Sequence, residues 1–292
     1  MTIDPKADAR LALDVLATED AYDAAGGPGK APLDIPLEPR LAPLWALRGH
    51  IVGTDAVLQR GVGLALGAQA VWYGYVLQSL TDPVRFACLI RGTSGAVEWW
   101  DDAKCAQVRY PRGGNVEDGF WKIAESLTYR RPGGPNVPLV AALSGIVGSG
   151  SLLIAGHSLG ATLAIYRAAD LADPSRLGKR LSLRAYASPH PGDALFAQYA
   201  GSLIADYRCY ARELDIVPRL PEGFGYSCLP TTVLPWNANG VRVRIESGAR
   251  GQHHVLSYAA QLDPSCITPA ALLPIDKPYL DCLIFPPIKA AA

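Results

Sequence analysis

Residues 151–172 read SLLIAGHSLGATLAIYRAADLA, and the rest of the chain is organised around this stretch. It begins with a short apolar run, Leu152 to Ala155, which has the length of a strand. The pentapeptide Gly-His-Ser-Leu-Gly at 156–160 comes next. Apolar residues then recur at roughly helical spacing, at Leu159, Leu163, Tyr166 and Leu171. A strand, a sharp turn and a helix form the context in which G-x-S-x-G is a nucleophile elbow, so Ser158 is the predicted nucleophile.

The chemistry of such an elbow explains its glycines. Ser158 is expected in a strained turn that exposes its hydroxyl, while Gly156 and Gly160 leave room for the strand and helix to approach each other. The helix N-terminus below the serine offers free N–H groups and the positive end of a dipole, and both favour an oxyanion. G-x-S-x-G also occurs by chance in ordinary strand–loop–helix connections, and the flanking pattern is what favours the elbow here.

Composition limits the classes of protein and partner. The chain has 292 residues, of which 49% are hydrophobic and 18% charged, enough for one large α/β domain with a substantial core. Its formal net charge is zero, so no basic field is present to attract nucleic acid or an anionic membrane. The longest stretch without Asp, Glu, Lys or Arg, residues 132–166, is interrupted by proline and glycine. We interpret it as loop, helix, strand and elbow rather than as a membrane span.

The first residues, MTIDPKAD, do not combine a basic segment with an apolar one, so no signal peptide is expected. The sequence as written fits either an intracellular protein or a secreted protein whose leader has been removed. Neither the compartment nor the oligomeric state follows from the sequence.

The six cysteines contain no C-x-x-C pair, which argues against a zinc ribbon or a redox motif. Cys88 and Cys209 lie in strand-like runs and are expected to be buried thiols. The remaining four lie in loop-like stretches where disulfides are conceivable, but the sequence does not pair them: Cys105, Cys228, Cys266 and Cys282.

The order of elements predicts an α/β fold with a mostly parallel central sheet and helices on both faces. We expect a single domain over residues 1–292, with an N-terminal wrapping arm over about 1–60 and a C-terminal extension over about 264–292. Helices are predicted at 9–24, around 44–47, and at 116–127, 139–147, 193–202 and 255–262. Strands are predicted at 71–79, 85–90, 152–155, 181–187 and 206–211, the first two as an antiparallel pair.

Catalytic groups in such folds lie beyond the carboxyl ends of the strands, where Thr93, Ser158 and Asp215 are predicted. A serine hydroxyl needs an imidazole to take its proton and a carboxylate to orient that imidazole. Asp215 is better placed to orient the imidazole than the other aspartates after Ser158, although most loop aspartates simply lie in solvated turns. Beyond Asp215 the only histidines are His253 and His254, so one of these two is the predicted base.

Four stretches give the chain a resemblance to the class 3 lipases, a family of α/β-hydrolases that act on acylglycerols and other esters. They are Leu89–Thr93, Trp99 or Trp100 with Asp101, Gly156–Gly160, and Leu214–Pro221. The resemblance spans about residues 70–262. It implies that Thr93 and the Leu159 N–H form the oxyanion hole and that Trp99 and Trp100 belong to a lid, although both tryptophans also fit simple packing roles.

Some details depart from the family pattern. Ala161 replaces the family's usual second glycine after the elbow, and the loop at 188–193 differs from the usual one on the substrate side. Some branches carry a tyrosine five residues after the catalytic histidine. Tyr258 has that spacing from His253, so the resemblance favours His253 over His254.

The predicted function is a carboxylic ester hydrolase that works through an acyl-enzyme, with no cofactor and no metal. Its expected partner is a small-molecule or lipid ester, with no nucleic acid and no transmembrane segment. Because residues 94–104 hold few apolar side chains, we expect short- to medium-chain esters and weak interfacial activation. The alternatives are a feruloyl-type aryl esterase or a phospholipase of the same fold and, more remotely, a catalytically silent binding module.

Overall fold

The computed structural model describes residues 4–54, 69–93, 106–223 and 225–286. Within these ranges the strands are β1 (Trp45–Thr54), β2 (Ala70–Ser79), β3 (Arg85–Ile90), β4 (Gln107–Arg109), β5 (Asn115–Glu117), β6 (Thr128–Arg130), β7 (Val137–Pro138), β8 (Ser151–His157), β9 (Leu181–Tyr186), β10 (Gly192–Asp193), β11 (Asp206–Arg212), β12 (Tyr226–Ser227), β13 (Thr231–Leu234), β14 (Arg242–Val243) and β15 (Leu283–Ile284). The α-helices are α1 (Pro5–Ala24), α2 (Asp118–Ser126), α3 (Leu139–Val147), α4 (Leu159–Leu171), α5 (Ala194–Leu203), α6 (Gly248–His253), α7 (Val255–Leu262) and α8 (Lys277–Leu280). No helix in these ranges is long and apolar enough to cross a bilayer.

A nine-stranded sheet organises the described chain, in the order β13-β11-β9-β8-β3-β2-β1-β6-β7. Strands β13, β11, β9, β8 and β3 run parallel to one another. The strands predicted at 71–79 and 85–90 are β2 and β3, and they pair antiparallel. Strand β1 pairs antiparallel with both β2 and β6. The candidate active site lies at the parallel half of the sheet, because β3, β8 and β11 end at the same edge.

The helical signal around residues 44–47 was a wrong prediction, since Trp45 begins strand β1. Four apolar residues are too few to distinguish a helix from a strand by their period. Pairing with β2 and β6 then determines the structure, and Ile51 and Val52 at the centre of the strand are buried. The expected wrapping arm over about 1–60 therefore includes a strand of the central sheet.

Hydrophobic cores fill both faces of the sheet. Helices α2, α3, α4 and α5 cover one face, where Leu163 and Phe196 are fully buried. Helices α1 and α7 cover the other face, with Leu16 and Tyr258 among the buried side chains. Helix α4 lies between the sheet and helices α2, α3 and α5, which explains why it is apolar around most of its circumference.

Helix α1 is fixed to the sheet by a buried carboxylate at its first turn. Asp8 accepts hydrogen bonds from Arg184 at 2.8 Å, from Arg208 at 2.6 Å and from the hydroxyl of Tyr210. A buried carboxylate needs such partners, because an unpaired charge is costly away from water. These hydrogen bonds hold the start of α1 against β9 and β11. The last turns of α1 lie near the end of β3.

The five cysteines that the structure describes are free thiols: Cys88, Cys209, Cys228, Cys266 and Cys282. Cys88 and Cys209 are buried in β3 and β11, where the sequence predicted buried thiols. Burial raises the pKa of each of these two thiols to about 12. Cys105 lies outside the described residues.

Candidate active site

The turn between β8 and α4 places Ser158 in a conformation that L-amino acids rarely adopt, with φ 56° and ψ −128°. Such a backbone costs about 1–3 kcal/mol and persists only where its surroundings impose it. The Ser158 N–H donates to the carbonyl of Tyr186 at 2.9 Å, which anchors the turn to β9. A Cβ at Gly156 would collide with the carbonyl of Gly160, and a Cβ at Gly160 would collide with the carbonyls at the end of β3. Both glycines of the motif are therefore required by packing.

The structure brings together Ser158, His253 and Asp215 from three separate segments. His253 Nε2 lies 2.8 Å from Ser158 Oγ, and His253 Nδ1 lies 2.9 Å from Asp215 Oδ2. All three residues are buried. An Asp215 carboxylate facing Nδ1 selects the tautomer that leaves Nε2 free to accept the serine proton.

His254 lies away from this arrangement. Its ring stacks on Tyr279 with centroids 3.5 Å apart, and its Nδ1 accepts a hydrogen bond from the Leu256 N–H at the start of α7. Burial lowers the pKa of His254 to about 3, so the ring is neutral. Of the two histidines that the sequence left open, His253 is the one within reach of Ser158.

Two further groups hold the Asp215 carboxylate. The Val217 N–H donates to Oδ1 at 3.0 Å, and the Tyr258 hydroxyl donates to Oδ2 at 2.7 Å. Burial alone would raise the pKa of Asp215, but the charge and hydrogen bond of His253, with these two donors, lower it. The sequence pointed to Tyr258 only as a spacing marker and did not reveal its contact with the carboxylate.

A second polar pair, absent from the sequence-based predictions, lies directly behind His253. Glu19 of α1 lies 2.9 Å from His157 Nδ1, and His157 Nε2 lies 2.8 Å from the carbonyl of His253. The rings of His157 and His253 have centroids 4.7 Å apart. No local pattern around Glu19 indicates this role, because its partner is 138 positions away in the sequence.

Of the two predicted oxyanion donors, Leu159 directly follows the serine, and Thr93 follows a glycine that packs against it. Leu159 is the first residue of α4, so its N–H has no acceptor within the helix. Thr93 follows Gly92, where an added Cβ would lie 3.1 Å from Ser158 Cβ. Thr93 also lines a cavity of about 760 Å³ together with Gly92, His157 and His253. The lid candidates Trp99 and Trp100 lie outside the described residues.

The lining of this cavity combines charged and aromatic side chains. Helix α1 contributes Glu19, Asp20, Tyr22 and Asp23, and residues 274–279 contribute Pro274, Ile275, Pro278 and Tyr279. Among the described residues, no group of three or more His, Cys, Asp and Glu side chains is arranged to hold a metal ion. The chemistry that this geometry supports is nucleophilic attack by an activated serine.

Comparison of the sequence with known proteins finds matches to lipases. Residues 87–224 match the family model described as "Lipase (class 3)". A lipase from Rhizomucor miehei is 32% identical over 143 residues, which is 47% of this chain and 38% of that protein. The chain thus aligns with well under half the length of this relative.

Solved lipase structures share the fold. The Rhizomucor miehei lipase in complex with its propeptide superimposes with a TM-score of 0.57 at 21% identity, covering 80% of this chain and 70% of that one. Lipase II from Rhizopus niveus gives 0.54 at 22% identity, covering 85% and 83%. M37 lipase gives 0.58 at 16% identity and covers 94% of both chains. The fold is therefore that of the α/β-hydrolases, as the sequence predicted.

Proposed function

We propose that this chain, whose residues 87–224 match the class 3 lipase family model, is a carboxylic ester hydrolase working through an acyl-enzyme. The observation that carries the proposal is the chain of hydrogen bonds from Ser158 through His253 to Asp215, with distances of 2.8 and 2.9 Å. The strained backbone of Ser158 supports the same role, because strain of this kind concentrates at functional sites.

In the first half of the reaction, Ser158 Oγ attacks the ester carbonyl carbon as His253 Nε2 takes the hydroxyl proton. The tetrahedral intermediate collapses when His253 returns that proton to the leaving alcohol, which leaves an acyl group on Ser158. In the second half, a water molecule gives its proton to His253 and attacks the acyl carbon, and Ser158 regains its proton as the acid departs. Asp215 stabilises the imidazolium that forms in each half.

The negative charge on the carbonyl oxygen needs hydrogen-bond donors that are already in place. We assign this role to the Leu159 N–H, at the N-terminus of α4, and to Thr93, three residues after the end of β3. The dipole of α4 adds a partial positive charge at the same point. Each donor acts more strongly on the transition state than on the neutral ester, so it accelerates the reaction rather than merely binding substrate.

We propose short- to medium-chain esters as substrates, on the composition of residues 94–104. A segment that lies on lipid needs a broad apolar face, and this one combines five apolar residues with Glu98, Asp101, Asp102 and Lys104. Aryl esters of the feruloyl type and phospholipids are the competing substrate classes.

The test is hydrolysis of nitrophenyl esters of increasing acyl length, alongside a feruloyl ester and a phospholipid. We expect the highest kcat/KM on short and medium acyl chains. Ser158→Ala is the control, and it should lower kcat by about 10⁴–10⁶-fold while the protein stays folded. An alanine variant that keeps more than about a tenth of wild-type activity, or a wild-type protein inactive on every ester, would refute the proposed function.

A further inference from the structure

Glu19 connects the N-terminal helix to two parts of the site at once. Its Oε1 accepts a hydrogen bond from the Gly92 N–H at 2.8 Å and lies 2.9 Å from His157 Nδ1. Gly92 immediately precedes Thr93, and His157 immediately precedes Ser158. The carboxylate therefore contacts the segments that carry both the nucleophile and the side-chain oxyanion donor.

His157 extends the connection to the third segment. Its Nε2 lies 2.8 Å from the carbonyl oxygen of His253, which can only accept a hydrogen bond. Nε2 must therefore carry a proton. Nδ1 faces the carboxylate of Glu19, also an acceptor when ionised, so an ionised Glu19 places a proton on Nδ1 as well. The contacts together describe an imidazolium between a carboxylate and a peptide carbonyl.

The electrostatics agree with this protonation. Burial opposes charge on both groups, but the charge and hydrogen bond of Glu19 raise the pKa of His157 above its ordinary value. The charge and hydrogen bond of His157, with the Gly92 N–H, lower the pKa of Glu19 to about 2 despite its burial. Five other ionisable groups also act on the pair: Asp20, Asp23, Arg91, Asp215 and His254.

We propose that Glu19 and His157 are positioning residues for the reaction, an ion pair that fixes the main chain of His253 and the Gly92–Thr93 segment relative to Ser158. The inference rests on the proposed function, since it assigns roles in that reaction. The pair acts through its neighbours: the hydrogen bond to the His253 carbonyl sets where the imidazole base stands, and the hydrogen bond from Gly92 sets where Thr93 stands.

Catalysis is sensitive to this kind of support. A misplacement of about 1 Å in a reacting group can cost about 10²-fold in rate. Hydrogen-bond partners that orient a catalytic or metal-binding histidine typically contribute 10–100-fold. We expect the loss to appear in kcat, because the pair holds groups that act in the transition state rather than groups that only bind substrate.

The kinetic test replaces Glu19 with Gln, which keeps its size and an acceptor for Gly92 but removes the charge. Glu19→Gln should lower kcat on a short nitrophenyl ester by about 10–100-fold and change KM by less than about twofold. His157→Gln should have a similar effect, and the double variant should lose no more than the worse single variant, because the two residues form one unit.

Asp14→Asn provides the matched control. Asp14 is a buried carboxylate of the same helix that contacts Trp45 and Arg10 instead of the site. The Asp14→Asn variant should keep kcat within about twofold of the wild-type value. The free energy of unfolding of each variant, measured with denaturant, shows that kinetics are compared among folded proteins. If Glu19→Gln keeps wild-type kcat, or if Asp14→Asn loses as much, the positioning role is wrong.

A spectroscopic test separates this inference from the proposed function. In protein labelled with ¹⁵N-histidine, the signal that disappears in His157→Gln belongs to His157. At pH 6.5, the ordinary pKa of an imidazole, both of its nitrogens should be mostly protonated in the wild type and in Ser158→Ala, and the ring should be mostly neutral in Glu19→Gln. A mostly neutral His157 in the wild type at this pH would refute the ion pair even if the enzyme hydrolyses esters. An inactive wild type with a charged His157 would instead count against the proposed function alone.

Discussion

The hydroxyl of Tyr258 lies 2.7 Å from Oδ2 of Asp215, the same carboxylate oxygen that faces His253 Nδ1. Tyr258 also accepts a hydrogen bond from the Arg212 N–H at 3.2 Å, so its hydroxyl joins the end of β11 to the carboxylate beyond it. The Tyr258 hydroxyl and His253 Nδ1 both donate to Oδ2 and favour the ionised form of Asp215. The ionised carboxylate is the form that orients the imidazole.

Tyr258→Phe should therefore lower kcat by about tenfold, since a hydrogen bond to a charged group contributes about 1.5–3 kcal/mol and Val217 and His253 remain as donors. The fold should be retained, because the phenyl ring fills the same space in the core under α7. Steady-state kinetics on a short ester checks this. An unchanged kcat would mean that the tyrosine only packs.

The two adjacent histidines should differ sharply. His253→Ala should match Ser158→Ala in severity, because members of such a unit do not contribute additively. His254→Ala should cost about tenfold or less, since its ring stacks on Tyr279 and does not reach the serine. Kinetics of both single variants and of Ser158→Ala/His253→Ala decide the matter. The reverse ranking would show that His254 is the base.

Thr93→Ala should lower kcat by about 10²-fold, the cost of one oxyanion donor. Thr93→Ser keeps the hydroxyl and is the matched control, so it should retain most of the activity. Equal kcat/KM for the alanine variant and the wild type on a small ester would remove the Thr93 side chain from the oxyanion hole.

Interfacial activation should be weak, because the segment 94–104, whose structure lies outside the described residues, is short of apolar side chains. The rate on an ester of limited solubility should rise smoothly as its concentration passes the solubility limit. A sharp increase when droplets of a long-chain substrate form would contradict the expectation.

Asp14 should make folding stability depend on pH in the mildly acidic range. Burial raises the pKa of Asp14 to about 6, against an ordinary value of 3.8. Between these values the unfolded chain has released its proton while the folded chain retains it, so this contribution to stability is present below about pH 4 and lost as pH rises through 6. The shift corresponds to a loss on the order of 3 kcal/mol.

In Asp14→Asn this part of the pH dependence should disappear. Denaturant unfolding of the variant and the wild type at pH 4, 5, 6 and 7 measures it. The difference in unfolding free energy should move in favour of the variant from pH 4 to 6 and then level off. A difference that stays constant across this range would refute the assignment.

Much of the fold is readable from local sequence, because its elements have clear periods and boundaries. Strand β3 and helices α3 and α7 occupy the predicted residues, and α1 begins four residues earlier than predicted. Strand β1 was mistaken for a helix around residues 44–47, since its identity is set by pairing with β2 and β6 rather than by its own composition.

The candidate site also contains residues that the sequence predicted and residues that it missed. Ser158 is marked by a local motif, and the order of Asp215 and His253 after it left few alternatives. No local sequence motif identifies Glu19, which is one of several acidic residues in α1. It reaches His157 only because that helix packs against β3 and β8. Residues that act through tertiary contact alone are out of reach for single-sequence reasoning.

The hydrogen bonds of the site join positions far apart along the chain: Glu19 to His157 across 138 positions and Ser158 to His253 across 95. Closing such long loops costs chain entropy before any contact offsets it, so we expect these connections to form later than the local turns of α4 or α7. A refolding chain should then regain local helical structure before its hydroxyl, imidazole and carboxylates meet. Reactivity should return after helical structure, because the serine has no base until these distant segments come together.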